Sequence, residues 1–274
     1  MKKYILKSIR NFILLFFLVV NLFPLIWVLI SSFKTNREIL DYALSLPSSF
    51  NFNNYVTAFK GSGLLRALFN SLFVTTFSII LNAFVAFIAA YSISRYKFRF
   101  LGYFMVLLAF GLLVPVNSAL LPIKIVMDKL SLTNSLIGLA ILYTGIGIPM
   151  SVLILRSQII GIPKDIDESA DMDGAGPWRI ALSIVGPVAR PGIITVMILQ
   201  AVYCWNEFLF SMILISDQER KTMQVVMKNF LGLFQSDYGA LFASVVIAII
   251  PVIIFFVIFQ NQVVTAFSTG SVKQ

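Results

Sequence analysis

Apolar runs long enough to cross a bilayer recur along this chain. They occupy residues 11–33 and lie within 67–94, 100–123, 130–155, 191–216 and 238–264. A helix needs about 20 apolar residues to span the hydrocarbon core. These runs are too long for barrel strands, and backbone groups in lipid must bond within their own segment. All six are therefore predicted to be helices. The polar positions collect between them. Residues 34–66 form one long polar connection, with Pro47 and the turn-rich run Ser48-Ser49-Phe50-Asn51-Phe52-Asn53-Asn54. Residues 217–237 form another, with Asp217, Glu219, Arg220, Lys221, Lys228 and Asp237. Residues 162–176 are a third, an acid-rich island in a strongly apolar chain.

The first run follows Lys2, Lys3, Lys7 and Arg10, a start that a secretory signal also shows. Yet the run is long, and Pro24, Trp27 and Phe33 stand where a small-residue cleavage site would be. It reads as a retained first span.

Composition supports the membrane reading. The chain has 274 residues, of which 59% are hydrophobic and 12% charged, against about a quarter charged in a soluble domain. A net charge of +9 can signal nucleic acid, but the bases do not cluster into a recognition surface. They sit between apolar runs, as loop orientation requires. With the N-terminus inside, Lys2, Lys3, Lys7, Arg10, Arg95, Lys97, Arg99, Arg156, Lys164, Arg179, Arg190 and Lys273 fall in cytoplasmic segments, twelve of 21 bases. The short 95–99 turn is the densest. Six spans then place both termini and the acidic island in the cytoplasm.

Other chemistry is narrowed by what the sequence lacks. It has no histidine and one cysteine, Cys204. A disulfide within the chain is impossible and a His- or Cys-based metal centre is nearly excluded, so no metal is expected. No G-x-x-x-x-G-K-[S/T] phosphate loop is present, so any ATP driving this protein must be hydrolysed on another chain.

The island has its own logic. Pro163 fits the first turn of a helix. Asp165, Asp167 and Glu168 then lie near its positive end. Ile166 and Ala170 share a face at i, i+4 spacing. Gly174 suits the stop, because glycine tolerates the left-handed conformation found there. The product is a short rigid helix with acids near one end and small residues where a partner can come close. Residues 177–185 read as a second amphipathic helix along the membrane surface, broken by Gly186-Pro187 before the fifth span. An ordinary interfacial loop helix is the plainer reading of such a segment.

The whole pattern resembles the EAA loop of ABC importer permeases: Glu168-Ser169-Ala170, then Asp173-Gly174-Ala175, then Ile184 and Gly186-Pro187. Ser169 replaces the usual second alanine. Pro24-Leu25-Ile26-Trp27, Ser32-Phe33-Lys34, Leu132-Thr133-Asn134-Ser135, Trp205-Asn206-Glu207-Phe208 and Gly270-Ser271-Val272-Lys273 are similar to motifs of the maltose-type, binding-protein-dependent carbohydrate permeases. The tail ends in Gln274, where many relatives have glycine.

The resemblance covers nearly the whole chain. It implies an all-α membrane protein with six transmembrane helices in the type I ABC importer permease fold. Residues 1–68 would hold the N-terminal tail, first span and outer loop. Residues 69–262 would form the permease domain with a cytoplasmic docking loop at 156–190, and 263–274 the cytoplasmic tail. The resemblance places Glu168, Ser169, Ala170, Asp173, Gly174, Ala175 and Pro187 against an ATPase subunit. It implies a second homologous permease subunit, an ABC ATPase dimer carrying ATP and Mg, and an extracytoplasmic sugar-binding protein. The setting would be a bacterial cytoplasmic membrane, with lipid around the chain. This chain itself would do no bond chemistry and bind no cofactor. Two rival readings stay open: an ABC permease for another solute such as a glycerol phosphate, and a self-powered secondary transporter.

Polar groups inside the spans are few. Glu207 is the one acid well inside one, and a carboxylate there must face protein or water. Its own span offers no base. Asn206 beside it, or a group on another chain, must help, or the acid stays protonated. It reads either as part of the substrate path or as an interhelical anchor near the outer end of its span. Asn82, Asn117, Gln200 and Tyr203, with Asn206, can line a path for neutral sugars. Membrane helices also use such groups as packing glue.

Overall fold

The computed structural model describes residues 2–61, 63–97, 99–232 and 236–270. Among the described residues the secondary structure is helical, without strands. The helices are α1 (Lys2–Ser31), α2 (Asn36–Asp41), α3 (Asn53–Gly61), α4 (Leu64–Arg95), α5 (Leu101–Leu113), α6 (Leu120–Lys129) and α7 (Leu136–Ile160). Then come α8 (Asp165–Met172), α9 (Pro177–Val188), α10 (Arg190–Asn206), α11 (Leu209–Leu214), α12 (Met223–Lys228) and α13 (Tyr238–Gly270). The tail motif expected at Ser271-Val272-Lys273, and Gln274 after it, lies outside the described residues.

Four helices are each long and apolar enough to cross a membrane: α1, α4, α7 and α13. The other two expected spans are not single helices. In the third, Leu101–Leu113 and Val116–Lys129 meet at 93°. The fifth, expected within 191–216, is continuous only as far as Asn206: Glu207 is extended, and Leu209–Leu214 forms a separate short helix. Pro177–Val188, which precedes that expected span, meets Arg190–Asn206 at 81°. Counting each bent pair as one span gives six.

Local chemistry explains both bends. Pro115 disfavours helical backbone in the residue before it, and Val114 is extended at φ −75°, ψ 120°. A single 3₁₀ turn, Val116–Ala119, then leads into α6. The run 100–123, expected as one helix, is therefore two. Before the second bend, Pro187 has no N–H and would crowd the carbonyl four residues earlier. Ile180–Val185 adopts π-helix, with Gly186 N–H bonded to Ala181 O. The wider turn lets α9 run through Gly186-Pro187 to Val188. Those two residues do not break the segment, contrary to expectation. The turn comes at Ala189 (φ −79°, ψ 1°).

The chain packs as two units. In one, residues up to Leu65 pack with Val226–Ile254. Here the chain just past the end of α1 is held by side-chain bonds to its carbonyls. The Asn54 amide donates to Ser32 O and Lys34 O, 2.8 Å each. Lys34 is fully buried, and its Nζ donates to Tyr42 O and Ala43 O at 3.3 and 3.0 Å. Trp27 Nε1 donates to Ala43 O at 2.8 Å. Thr35 and Glu38 form a capping box on α2. Phe33 packs against Phe50, Phe52 and Tyr55. The long polar connection is thus a built structure with two helices of its own.

Arg66–Val225 form most of the other unit. Ala86, Phe87, Ala90 and Tyr91 of α4, Val152 and Leu155 of α7, and Val196 of α10 share a core with Ala170, Ala175 and Val185. A second cluster gathers Val74, Leu139, Ala140, Tyr143, Cys204, Phe210 and Leu214.

Candidate functional site

The acidic island folds into α8, and its end is built as the glycine predicts. Gly174 is left-handed at φ +81°. Its N–H bonds to Asp171 O and the Ala175 N–H bonds to Ala170 O, each at 2.9 Å. This pair of bonds is a Schellman stop, and the small side chains Ala170 and Ala175 close it. Both alanines are only 7% exposed and, with Ile166, pack into the chain's own core. They therefore face inward, away from the surface a partner would meet. Exposed residues of this segment include Glu168, Ser169, Asp173 and Gly174 of the motif, together with Asp165, Asp171, Met172 at 83% and Trp178 at 63%. Pro187 is exposed on α9.

Two details differ from the sequence reading. Pro163 does not enter the first turn: the cap is Lys164, and Pro163 precedes it. Ser169 Oγ donates to Asp165 O at 2.6 Å. The serine satisfies its hydroxyl on its own helix, which is why it can stand where the motif has alanine.

Sequence reasoning missed what holds α8. Arg95, the last residue of α4, reaches it with a side chain only 6% exposed. Its Nε lies 2.6 Å from Asp167 Oδ2, and Asp167 is 14% exposed. Arg95 Nη2 also donates to Ile162 O at 3.1 Å and to Asp167 Oδ1 at 3.4 Å. In sequence Arg95 is one of several bases in a short turn, and nothing there singles it out.

The polar span residues separate into two groups. Asn82 and Gln200 are buried, at 0% and 4% exposed, and their polar atoms are committed to neighbouring helices. The Asn82 amide donates to Thr144 O at 3.1 Å, and Ser151 Oγ donates to Asn82 Oδ1 at 2.7 Å. Gln200 Nε2 donates to Ser78 Oγ at 2.8 Å and to Tyr143 O at 3.0 Å. Ser78 and Thr144 hydroxyls are 3.2 Å apart. The network joins α4, α7 and α10 on both sides of Pro149, where a proline loosens the α7 ladder. Gly147 leaves the room: a Cβ there would lie 2.0 Å from Gln200 Oε1 and 2.8 Å from Asn82 Nδ2. Of the two readings for Asn82 and Gln200, this geometry is that of packing glue. Asn117 and Asn206 are exposed and Tyr203 half-buried. Asn117 lies on the 3₁₀ turn of the α5–α6 bend, and the Tyr203 ring meets Tyr143 edge-on.

Glu207 sits where α10 ends and α11 begins. It is extended (φ −70°, ψ 129°). Its Oε1 accepts from Phe210 N–H at 2.9 Å and its Oε2 from Ser211 N–H at 3.2 Å. The Tyr143 hydroxyl donates to Oε2. The helper is therefore not Asn206, whose amide donates to Val202 O at 2.8 Å, but a tyrosine on α7 and two backbone amides. Asn134 secures the far end of α11. Left-handed at φ 53°, it donates its N–H to Leu214 O at 2.7 Å and accepts from Asp217 N–H at 3.0 Å. Ser135 beside it caps α7 through Gly138 N–H. The motif residues 132–135 thus pin one helix while starting the next.

The comparisons with known proteins agree with this architecture. Residues 2–268 match the family described as "Binding-protein-dependent transport system inner membrane component". The diacetylchitobiose uptake system permease protein NgcG of Streptomyces coelicolor is 32% identical over 97% of this chain and 89% of its own length. The multiple sugar-binding transport system permease protein MsmG of Streptococcus mutans is 30% identical, over 99% and 96%. A chain of a bacterial ABC transporter that imports the acidic polysaccharide alginate superposes with a TM-score of 0.83. That match covers 95% of this chain and 97% of the other at 23% identity, and it shows the shared fold. A family match across nearly the whole chain, with six apolar spans and a Schellman-ended helix after the fourth, makes this chain a multi-pass membrane member of the binding-protein-dependent transport system inner membrane components, with the type I ABC importer permease fold.

Proposed function

We propose that the chain is the permease subunit of an ATP-driven importer for a sugar or oligosaccharide. One observation carries the coupling part of this reading. Helix α8 is locked to its own chain on its inner side and presents Glu168 and Met172 outward, with Asp173 exposed at its end and Trp178 exposed on α9. A helix held this firmly yet uncovered on one face suits docking to another subunit. That partner is a pair of ABC ATPases holding ATP and Mg. A second, related permease subunit completes the membrane part, and an extracytoplasmic binding protein delivers the sugar. This chain binds no cofactor and catalyses no bond change. It turns ATPase closure into alternating access by moving α8 as a rigid body.

Carbohydrate as substrate class is supported by NgcG and MsmG, whose names specify diacetylchitobiose and multiple sugars. On the substrate path we place Asn117, Tyr203 and Asn206, exposed or half-buried members of the candidate set. Glu207, also half-buried, is instead engaged by Tyr143 and two backbone amides. Both termini and α8 lie on the cytoplasmic side in this reading.

The test is reconstitution in liposomes. With second permease, ATPase and loaded binding protein, sugar uptake should require ATP. The chain alone should neither hydrolyse ATP nor move sugar. Sugar counterflow by the lone chain would overturn the proposal in favour of a self-powered carrier.

A further inference from the structure

We propose that Arg95 is the joint through which a displacement of α8 is passed into α4, a role distinct from contact with the ATPase. The inference deepens the importer reading and rests on it. Arg95 ends a continuous helix of 32 residues. Its guanidinium reaches two places at once. It meets the Asp167 carboxylate, in the first turn of α8, by ion-pair contact of Nε with Oδ2 and a hydrogen bond from Nη2 to Oδ1. Ile162 O, on the link between α7 and α8, also accepts from Nη2. An arginine fork suits a two-point grip better than a point charge does. Both side chains are nearly covered by protein, so neither is offered to a docking partner. Breaking one half of such a buried pair leaves an uncompensated charge, and the pair resists parting.

What lies further along α4 gives the joint a destination. Ser78 and Asn82 on the same helix belong to the buried network with Thr144 and Ser151 of α7 and Gln200 of α10. A shift of α8 pulled through Arg95 therefore arrives, along one rigid helix, at the polar contacts that join three spans. The apolar contacts of α8, through Ile166 and Ala170, hold it in place but slide more easily than a charged fork. Arg95 is a positioning residue.

The experiment uses the assembled importer: this chain, its second permease, the ATPases and the binding protein. Arg95→Gln combined with Asp167→Asn removes both charges and leaves no lone buried ion, so the chain should fold. Two quantities are read: the amount of ATPase co-purifying, and the factor by which loaded binding protein raises hydrolysis. We expect association within about twofold of wild type, and a stimulation factor lowered about fivefold or more, the range of an ordinary coupling free energy. Arg95→Lys, which keeps the charge but not the fork, should fall between. Exchanging the partners, Arg95→Asp with Asp167→Arg, should recover part of the stimulation. Unchanged stimulation in the neutral pair would overturn the proposal. Loss of association in that variant would overturn it too, by placing the pair in the docking surface. A wild-type chain that binds no ATPase would instead sink the importer reading itself.

Discussion

Glu207 and Lys221 close opposite ends of one six-residue helix. The Glu207 carboxylate accepts the Phe210 and Ser211 amides at the start of α11, and the Lys221 ammonium donates to Met212 O and Ile215 O at its end. A negative group at the start and a positive group at the end both oppose the helix dipole. So short a helix has no stability of its own, and these caps, with Asn134, hold it. Glu207→Ala strips the cap and leaves the Tyr143 hydroxyl without its acceptor. The expected loss is about 2–4 kcal/mol, from the ordinary worth of a cap plus a buried unpaired hydroxyl. Glu207→Gln keeps an acceptor and should lose less than half of that. Thermal unfolding in detergent checks the order. If Glu207→Ala is as stable as wild type but blocks transport, the acid belongs to the substrate path instead.

Gln200 offers a direct choice between glue and path. Its amide is buried and bonded to Ser78, Tyr143 O and Cys204. Gln200→Leu should destabilise the chain by about 1–3 kcal/mol, the usual cost of stranding buried partners, and leave the apparent KM for sugar unchanged in whatever protein assembles. Gly147→Val should be worse, since even its Cβ overlaps Gln200. Asn206→Ala should do the reverse, altering KM with little change in stability. An altered KM in a Gln200→Leu chain of normal stability would return Gln200 to the path.

Much of this was legible in the sequence. That the chain holds apolar helical spans, and roughly where, follows from apolar length; that 191–216 stops being one helix at Glu207 does not. Gly174 as a helix stop follows from its lack of a Cβ, and the left-handed φ of +81° fits. What could not be read was mostly long-range. Tyr143 and Glu207 are 64 residues apart, and Arg95 and Asp167 are 72 apart. No local pattern marks such pairs. The straight third span was a different kind of miss. Pro115 was visible, but proline within a membrane helix is often tolerated, as it is at Pro24, Pro149 and Pro251. Only the extended backbone at Val114 distinguishes a break from a kink. At Gly186-Pro187 the error ran the other way, because the π turn before the proline kept the helix going.

The outer connection should respond to acid. Hydrogen bonds from Ser48 and from Thr35 lower the Glu38 pKa from 4.5 to about 2. The folded value lies below the unfolded one, so the stabilisation is fully present above about pH 4.5 and fades as pH falls through about 2. The protection factors of the Thr35 and Ser48 amides, both bonded to this carboxylate, taken relative to the intrinsic exchange rate at each pH, should fall in that window. Glu38→Gln should show low protection factors at these amides already at neutral pH. Protection factors that stay unchanged down to about pH 2 would show that other contacts hold the loop.

Orientation has its own check. Reporter fusions after Asn54 and after Ser236 should score outside the membrane. Fusions after Lys97, after Gly176 and at Gln274 should score inside. An outside score at Gly176 would put α8 beyond the reach of any cytoplasmic ATPase.

The central claim is that α8 docks an ATPase through its exposed side and that Gly174 sets its end. The most direct measurement is co-purification of the ATPase with the assembled permease, followed by hydrolysis in the presence of loaded binding protein. Gly174→Val forces a β-branched residue into left-handed backbone at a cost of about 1–2 kcal/mol, and Glu168→Lys reverses charge at the positive helix end. Both chains should insert and keep the partner permease. ATPase association or stimulated hydrolysis should fall sharply in each, while substitutions of matching size at the exposed Ser183 should do far less. Normal association and normal stimulated hydrolysis in both the Gly174 and Glu168 variants would contradict the account and leave α8 as an ordinary loop helix.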